Sequence, residues 1–118
     1  MAKAEKKSIT TPDETRMFPK GKFEVVNLEG WTIGKATFEP GWKWSESVKP
    51  IAKTESCQAA HGLYVLSGHM HIVMDDGTKI EVGPGDAANI PSGHDAWTVG
   101  SESCIALDFT AAKTYATK

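Results

Sequence analysis

Three side chains that can bind a metal ion lie two and four positions apart in the middle of the chain: Glu55, Cys57 and His61. Successive side chains of a strand point to opposite faces, so an extended segment would present all three on one face. A thiolate with an imidazole favours Zn²⁺, followed by Fe²⁺, Ni²⁺ or Cu, whereas a carboxylate with an imidazole favours Fe²⁺ or Mn²⁺. Three protein ligands and one open position are typical of catalytic sites. The pattern predicts a divalent transition metal, with Zn or Fe as the first choices.

Each of these residues also has an interpretation without a metal. His61 could be a polar residue at the mouth of a barrel, Cys57 an inert buried thiol, and Glu55 a solvated loop charge. His94 and Asp95 directly follow a Pro-Ser-Gly turn. His94 could simply bond to that turn, and Asp95 could orient a histidine instead of binding a metal.

Four aromatic residues near these side chains are candidates for a substrate pocket. Trp42 and Trp44 are two residues apart and lead into the segment that carries Cys57, and Tyr64 and Trp97 lie in predicted strands. Aromatic side chains that also carry a polar atom suit a small pocket for an organic anion or a ring. The alternative is that Trp42 and Trp44 fill the core or a dimer interface.

The elements that must position these residues are short strands separated by Gly, Pro and Asp turns. Apolar patterning predicts strands at 22–28, 31–38, 63–66, 70–74, 79–82, 87–90, 97–99 and 103–109. Strands of about five residues at this spacing are typical of an antiparallel sandwich or barrel, so the predicted fold class is all-β. The long segment 42–60 interrupts this rhythm and is a candidate functional loop.

Length and composition fit one globular domain. The chain has 118 residues and a net charge of −2, and it has no apolar run near the ~18 residues that a membrane span needs. We therefore expect neither a nucleic-acid partner nor a membrane. The polar first residues lack the apolar core of a secretory signal, so we expect a cytoplasmic protein without a disulfide between Cys57 and Cys104. We expect residues 1–16 to form a flexible N-terminal arm and residues 17–118 to form the barrel domain.

Two stretches resemble the motifs of small single-domain cupins of the conserved-barrel type. Residues 85–93 read GDAANIPSG, with the glycine and the PxG of the second cupin motif at the right spacing. Residues 64–68 read YVLSG, which is similar to the strand that ends in the glycine of the first motif. The resemblance covers about half of the chain by motif, and it implies a double-stranded jelly-roll barrel.

The ligand positions of this cupin pattern are altered. His61 stands where the first motif has a glutamate, and Cys57 and Glu55 stand where it has two histidines. The histidine of the second motif would fall at Ala96, and His94 comes two residues earlier. The resemblance therefore implies the metal ligands Glu55, Cys57, His61 and His94, with Asp95 as an alternative ligand or as a partner that orients a histidine.

Three functions stay open at this point. The first is a metal-dependent enzyme of the oxygenase, isomerase or lyase type that acts on a small organic molecule. The second is a sensor that binds a small ligand or a metal without turnover, and the third is a metal-free structural cupin. The resemblance also implies a homodimer with swapped or augmented strands, for which segment 17–30 is the candidate.

Overall fold

The computed structural model describes residues 3–111. Within them, short strands alternate with turns, and two single-turn helices lie in the long segment that follows the third strand. The elements are β1 (Glu14–Phe18), β2 (Gly21–Leu28), β3 (Trp31–Phe38), α1 (Trp44–Ser47), α2 (Lys49–Ala52), β4 (His61–Ser67), β5 (His69–Met74), β6 (Lys79–Val82), β7 (Ala87–Ile90), β8 (His94–Val99) and β9 (Cys104–Asp108).

The strands form two antiparallel sheets that enclose one core. The larger sheet has the order β1-β2-β3-β9-β4-β7, and the smaller has the order β6-β5-β8. Buried side chains from both sheets belong to a single hydrophobic cluster. The all-β jelly-roll barrel expected from the sequence is confirmed. The predicted limit between arm and barrel, at 16/17, falls inside β1.

Strand alternation brings two histidines to the interior of the barrel. In β4 the buried residues are His61, Leu63 and Val65, which is the inward set that the alternation predicts. In β8 the buried residues begin with His94 and Ala96. Each histidine is the first residue of its strand, so both lie at the same kind of place, where a strand enters the barrel.

The last strand presents its small side chains to the interior. Cys104, Ala106 and Asp108 are buried, whereas Ile105 and Leu107 are only partly buried on the opposite face. Ala106 pairs with a second alanine of β3, and both line the space inside the barrel. Small side chains here leave room for an internal cavity, and they place the carboxyl group of Asp108 inside the protein.

One glycine is required where the chain passes from the first sheet to the second. Gly68 separates β4 from β5 and has a φ of +75°. A Cβ atom at this position would lie 2.2 Å from the carbonyl oxygen of Ser103. The positive φ and the close approach of backbone both exclude a side chain, which explains the glycine at the end of the first cupin-like stretch.

The described residues contain no helix long and apolar enough to cross a lipid bilayer. Cys57 and Cys104 are both free thiols, as expected. Phe18, Phe23 and Val25 of the candidate dimer segment are buried in the core of their own chain.

Candidate metal centre

Backbone hydrogen bonds hold Cys57 beside the start of β8. The Cys57 N–H donates to the carbonyl of His94 at 2.7 Å, and the Gly93 N–H donates to the carbonyl of Cys57 at 2.7 Å. The two residues form an isolated antiparallel bridge. The thiol therefore lies on a segment that is fixed to the strand carrying His94, although 37 positions separate the two residues in sequence.

His61 is oriented by a carboxylate on the neighbouring strand. Its Nδ1 donates to Oδ2 of Asp108 at 2.5 Å, and both side chains are buried. The other carboxylate oxygen of Asp108 accepts the backbone N–H groups of Thr110 and Ala111, at 3.1 and 2.8 Å. With Nδ1 engaged, the Nε2 atom of His61 points to the thiol, and it lies 3.7 Å from Sγ of Cys57.

His94 is oriented in the same way by a backbone carbonyl. Its Nδ1 donates to the carbonyl oxygen of Pro91 at 2.8 Å, which leaves Nε2 for the interior. The rings of His61 and His94 meet edge to face, with centroids 5.2 Å apart. One ligand atom from each of Cys57, His61 and His94 lies within 4.8 Å of the other two. These three buried residues are called the donor cluster below.

The surroundings favour the thiolate form of Cys57. Burial raises the pKa of the thiol, but hydrogen bonds with His61 and His94 lower it more, to about 6. Burial lowers the pKa of His61, but its bonds to Asp108 and Cys57 raise that pKa to about 9. In Cys104 burial acts alone and raises the pKa to about 11. Since the thiolate is the form that binds metals, Cys57 is the thiol suited to be a ligand.

Two of the three donors already have the spacing of ligands that share one divalent transition metal, and the third lies within 4.8 Å of both. Ligand atoms that share a tetrahedral Zn²⁺ lie about 3.3–3.8 Å apart, given Zn–S and Zn–N bonds of ~2.3 and ~2.1 Å. The separation of 3.7 Å between Cys57 Sγ and His61 Nε2 falls in that range. Metal-binding histidines characteristically donate their second N–H to a carboxylate or a backbone carbonyl, as His61 and His94 do. Three donors would leave one coordination position for a ligand from outside the chain.

A small cavity adjoins the donor cluster inside the barrel. Trp42, Trp44, His61, His94 and Asp108 line it, together with aliphatic and phenylalanine side chains of both sheets. The centres of water molecules have about 30 Å³ of this space available to them. A single water needs ~10–15 Å³ on that measure, so the cavity holds about two waters.

Comparison with known proteins identifies the architecture around this site. Residues 41–115, more than half of the chain, match the family model of the EutQ-like cupin domain. The chain belongs to the EutQ-like cupin family. The matched part of this cupin contains the donor cluster, Asp108 and the two tryptophans of the cavity. A comparison with curated protein sequences gave no match.

Solved structures agree with the cupin fold. The polyketide cyclase RemF from Streptomyces resistomycificus is 21% identical, with a TM-score of 0.66 over 93% of this chain and 80% of its own. A protein of unknown function from Rhizobium leguminosarum is 22% identical, with a TM-score of 0.63 over 92% of this chain and 97% of its own. The oxalate decarboxylase of Lactobacillus farciminis is 18% identical, with a TM-score of 0.61 over 86% of this chain and 32% of its own. At these identities the likeness concerns the fold.

The structure of this cupin does not bring all the candidate ligands together. Glu55 is fully exposed, and its carboxylate pairs with the ammonium group of Lys49 at 3.1 Å, away from the donor cluster. Asp95 follows His94 in β8, so its side chain lies on the opposite face of the strand. Its Oδ1 accepts the backbone N–H of Ser45 at 3.1 Å, which ties the start of α1 to β8.

The four candidate pocket aromatics also separate into two pairs. Trp42 and Trp44 are buried and line the cavity. Tyr64 is 41% exposed on the outer face of the large sheet. Trp97 stacks on His71 with centroids 4.8 Å apart, and it lies outside the cavity lining.

Asp108 is the residue of the site that the sequence did not single out. Its position in the sequence could have indicated this role. Asp108 lies two residues after Ala106 and four after Cys104, on the face of β9 that carries small side chains. A carboxylate that shares a face with alanine and a free cysteine is unusual on a solvated strand. Only the tertiary pairing of β9 with β4 identifies its partner, His61.

Proposed function

We propose that this cupin binds a divalent transition metal through Cys57, His61 and His94, and that it binds or transforms a small organic molecule beside that metal. The supporting observation is the convergence of three buried donors while both histidine Nδ1 atoms are already held, by Asp108 and by the Pro91 carbonyl. Such pre-oriented histidines are the ordinary arrangement of metal sites in proteins.

The donor types favour Zn²⁺ or Fe²⁺. One thiolate and two imidazoles suit Zn²⁺ best, and Fe²⁺, Ni²⁺ and Cu follow by ligand softness. Mn²⁺ prefers carboxylates, and Glu55 points to solvent in this structure. Free thiols are typical of a reducing compartment, and we propose a cytoplasmic location because Cys57 and Cys104 are both free.

The residues of the chain would orient the metal ligands and keep bulk water away from the reacting group. Asp108 fixes the ring of His61 and the Pro91 carbonyl fixes the ring of His94. Aromatic and aliphatic side chains line the cavity beside the donor cluster, where a ligand of the metal would lie. When bound, a divalent metal supplies a Lewis acid that polarises an oxygen of the ligand.

Binding without turnover is a second candidate, and one observation favours it. The titratable residues that line the cavity, within the part of the chain that the structure describes, are His61, His94 and Asp108. The two histidines belong to the donor cluster, and both oxygens of Asp108 accept hydrogen bonds. A general base would therefore have to come from the ligand or from water.

Metal content is the experiment that tests the proposed site. Protein purified without added metal is compared with Cys57→Ala, His61→Ala and His94→Ala, with Glu55→Ala as the matched control from the same segment. We expect close to one metal per chain in the wild type and in Glu55→Ala, and a loss in the other three. Equally low metal in all five proteins would overturn the proposal. A turnover screen of the loaded wild type against small organic acids, with and without O₂, then separates an enzyme from a binding protein.

We also propose that two copies form a homodimer by edge pairing of β1. This strand is at the edge of the six-stranded sheet, and Met17 on it is 68% exposed. Exposed edges tend to be covered by a second strand. Because Phe18 and Phe23 pack in the core of their own chain, augmentation is favoured over a strand swap. Light scattering at micromolar concentration tests this, and a monomer would contradict it.

A further inference from the structure

Two buried hydrogen-bond donors, on side chains that line the cavity, have no acceptor in the part of the chain that the structure describes. The indole nitrogens of Trp42 and Trp44 are inaccessible to solvent and find no hydrogen-bond partner within residues 3–111. Each tryptophan side chain is 2% exposed, and both line the cavity beside the donor cluster. Buried polar groups are nearly always paired in native proteins, so two orphan donors on side chains that line one cavity point to a missing acceptor.

The backbone at both tryptophans is anchored by hydrogen bonds, and both side chains are buried. The backbone N–H of Trp42 donates to the carbonyl of Glu39 at 3.0 Å, and the backbone carbonyl of Trp42 accepts the backbone N–H of Thr98 at 3.0 Å. The indole of Trp42 packs on Phe38 with centroids 4.1 Å apart. Trp44 begins α1, whose next N–H is bound by Asp95.

The chemistry of these donors defines the class of ligand. An indole nitrogen donates and cannot accept, so its partner must offer a lone pair. The remaining wall of the cavity is chiefly aliphatic and aromatic, and the space corresponds to about two water molecules. A divalent metal at the donor cluster would add positive charge next to this space. A small anion with oxygen acceptors satisfies all three conditions.

We propose that Trp42 and Trp44 donate indole hydrogen bonds to the oxygens of a small monocarboxylate, about the size of formate, bound next to Cys57, His61 and His94. The charge argument in this inference rests on the proposed metal site, whereas the two orphan donors do not depend on it. The pair of indoles selects for an acceptor, and the volume of the cavity selects against larger acids.

Indole N–H resonances of ¹⁵N-labelled, zinc-treated protein test this directly, with sodium formate as the probe and sodium chloride at equal ionic strength as the control. The chain has four tryptophans, so four indole signals report in one spectrum. We expect formate to move the signals of Trp42 and Trp44 and to leave those of Trp31 and Trp97 unchanged. The inference would be overturned if formate moved neither the Trp42 signal nor the Trp44 signal, or if chloride moved them equally.

Conservative variants supply the second measurement. Trp42→Phe and Trp44→Phe keep an aromatic ring and remove the N–H, and exposed Trp31→Phe is the matched control. We expect each cavity variant to bind [¹³C]formate at least tenfold more weakly, while Trp31→Phe binds like the wild type. Wild-type affinity in both cavity variants would contradict the inference.

Zinc content measured on the same samples separates the two proposals. If zinc is bound at the wild-type level and formate does not move the indole signals, the inference is wrong and the proposed metal site is unaffected. If formate moves the signals of Trp42 and Trp44 in protein that binds no zinc, the two indoles are the donors and the proposed metal site is wrong.

Discussion

Asp108 holds Nδ1 of His61 at 2.5 Å and thereby turns the opposite ring nitrogen toward the thiol of Cys57. The two residues are 47 positions apart, and the pairing of β4 with β9 brings them together. Asp108 itself is fixed by two backbone N–H groups of the segment that follows β9. The carboxylate therefore acts through His61, as a positioning residue for the donor cluster.

Asp108→Asn should weaken metal binding by about 10–100-fold, the usual cost of losing a partner that orients a ligand. The neutral amide fits the same space but no longer supplies the charge that favours this orientation of His61. Competition with a chromophoric zinc chelator measures the affinity. Asp76→Asn, which changes a carboxylate in the β5–β6 turn, is the control and should bind as the wild type does. Equal affinity in Asp108→Asn would show that the carboxylate does not orient a ligand.

Removal of metal should expose one thiol to alkylation and not the other. Cys57 is in the donor cluster, so bound metal protects its sulfur. Cys104 is completely buried in β9, and burial raises its pKa to about 11, so it stays a protonated, inert thiol below that pH. Mass spectrometry after iodoacetamide treatment at pH 8, with and without a chelator, should show faster labelling at Cys57 only. Labelling of Cys57 at the same rate in both samples argues against a metal on its sulfur.

Asp95→Ala should lower stability without loss of metal. The side chain of Asp95 accepts the backbone N–H of Ser45 at 3.1 Å and that of its neighbour Ala96 at 2.9 Å, so its loss removes the acceptor that ties α1 to β8. We expect unfolding to become easier by about 1 kcal/mol, the typical contribution of such a bond. Urea titration gives the free energy, and elemental analysis gives the metal content. Metal loss comparable to that of His94→Ala would make Asp95 a ligand after all.

Gly68→Ala should destabilise the fold far more than Gly77→Ala. Both glycines have positive φ, +75° and +90°, so both variants incur backbone strain of about 1 kcal/mol. Only at Gly68 would the new Cβ also meet the backbone of Ser103, whereas nothing lies within 4 Å at Gly77. We expect a loss of about 3 kcal/mol or more for Gly68→Ala, since backbone atoms must then shift. Similar urea midpoints for the two variants would contradict the packing at the β4–β5 corner.

The barrel was predictable from the sequence because turns and alternation are local signals. Strands β3, β6 and β7 match the expected limits at 31–38, 79–82 and 87–90. The first strand escaped prediction because Glu14–Phe18 has two charged residues and only one buried side chain, that of Phe18 at its end, and its pairing with β2 is a tertiary effect.

The site was predictable only in part, for a related reason. Cys57 and His61 are four positions apart, which puts them on one face of an extended segment. Glu55 would share that face only if the segment were also extended from residue 55 to residue 57. In the structure the loop follows a helical turn and a residue with left-handed backbone, Lys53, and Glu55 points to Lys49 instead. Asp108 could not be placed because its partner is on another strand.

X-ray absorption at the metal edge of the purified protein tests the central claim most directly. One sulfur scatterer at ~2.3 Å and two imidazole nitrogens at ~2.0–2.1 Å are the result expected if Cys57, His61 and His94 hold Zn²⁺. The sulfur signal should vanish in Cys57→Ser and persist in Glu55→Ala. A first shell of oxygen and nitrogen alone in the wild type, or a sulfur signal that survives Cys57→Ser, would contradict it.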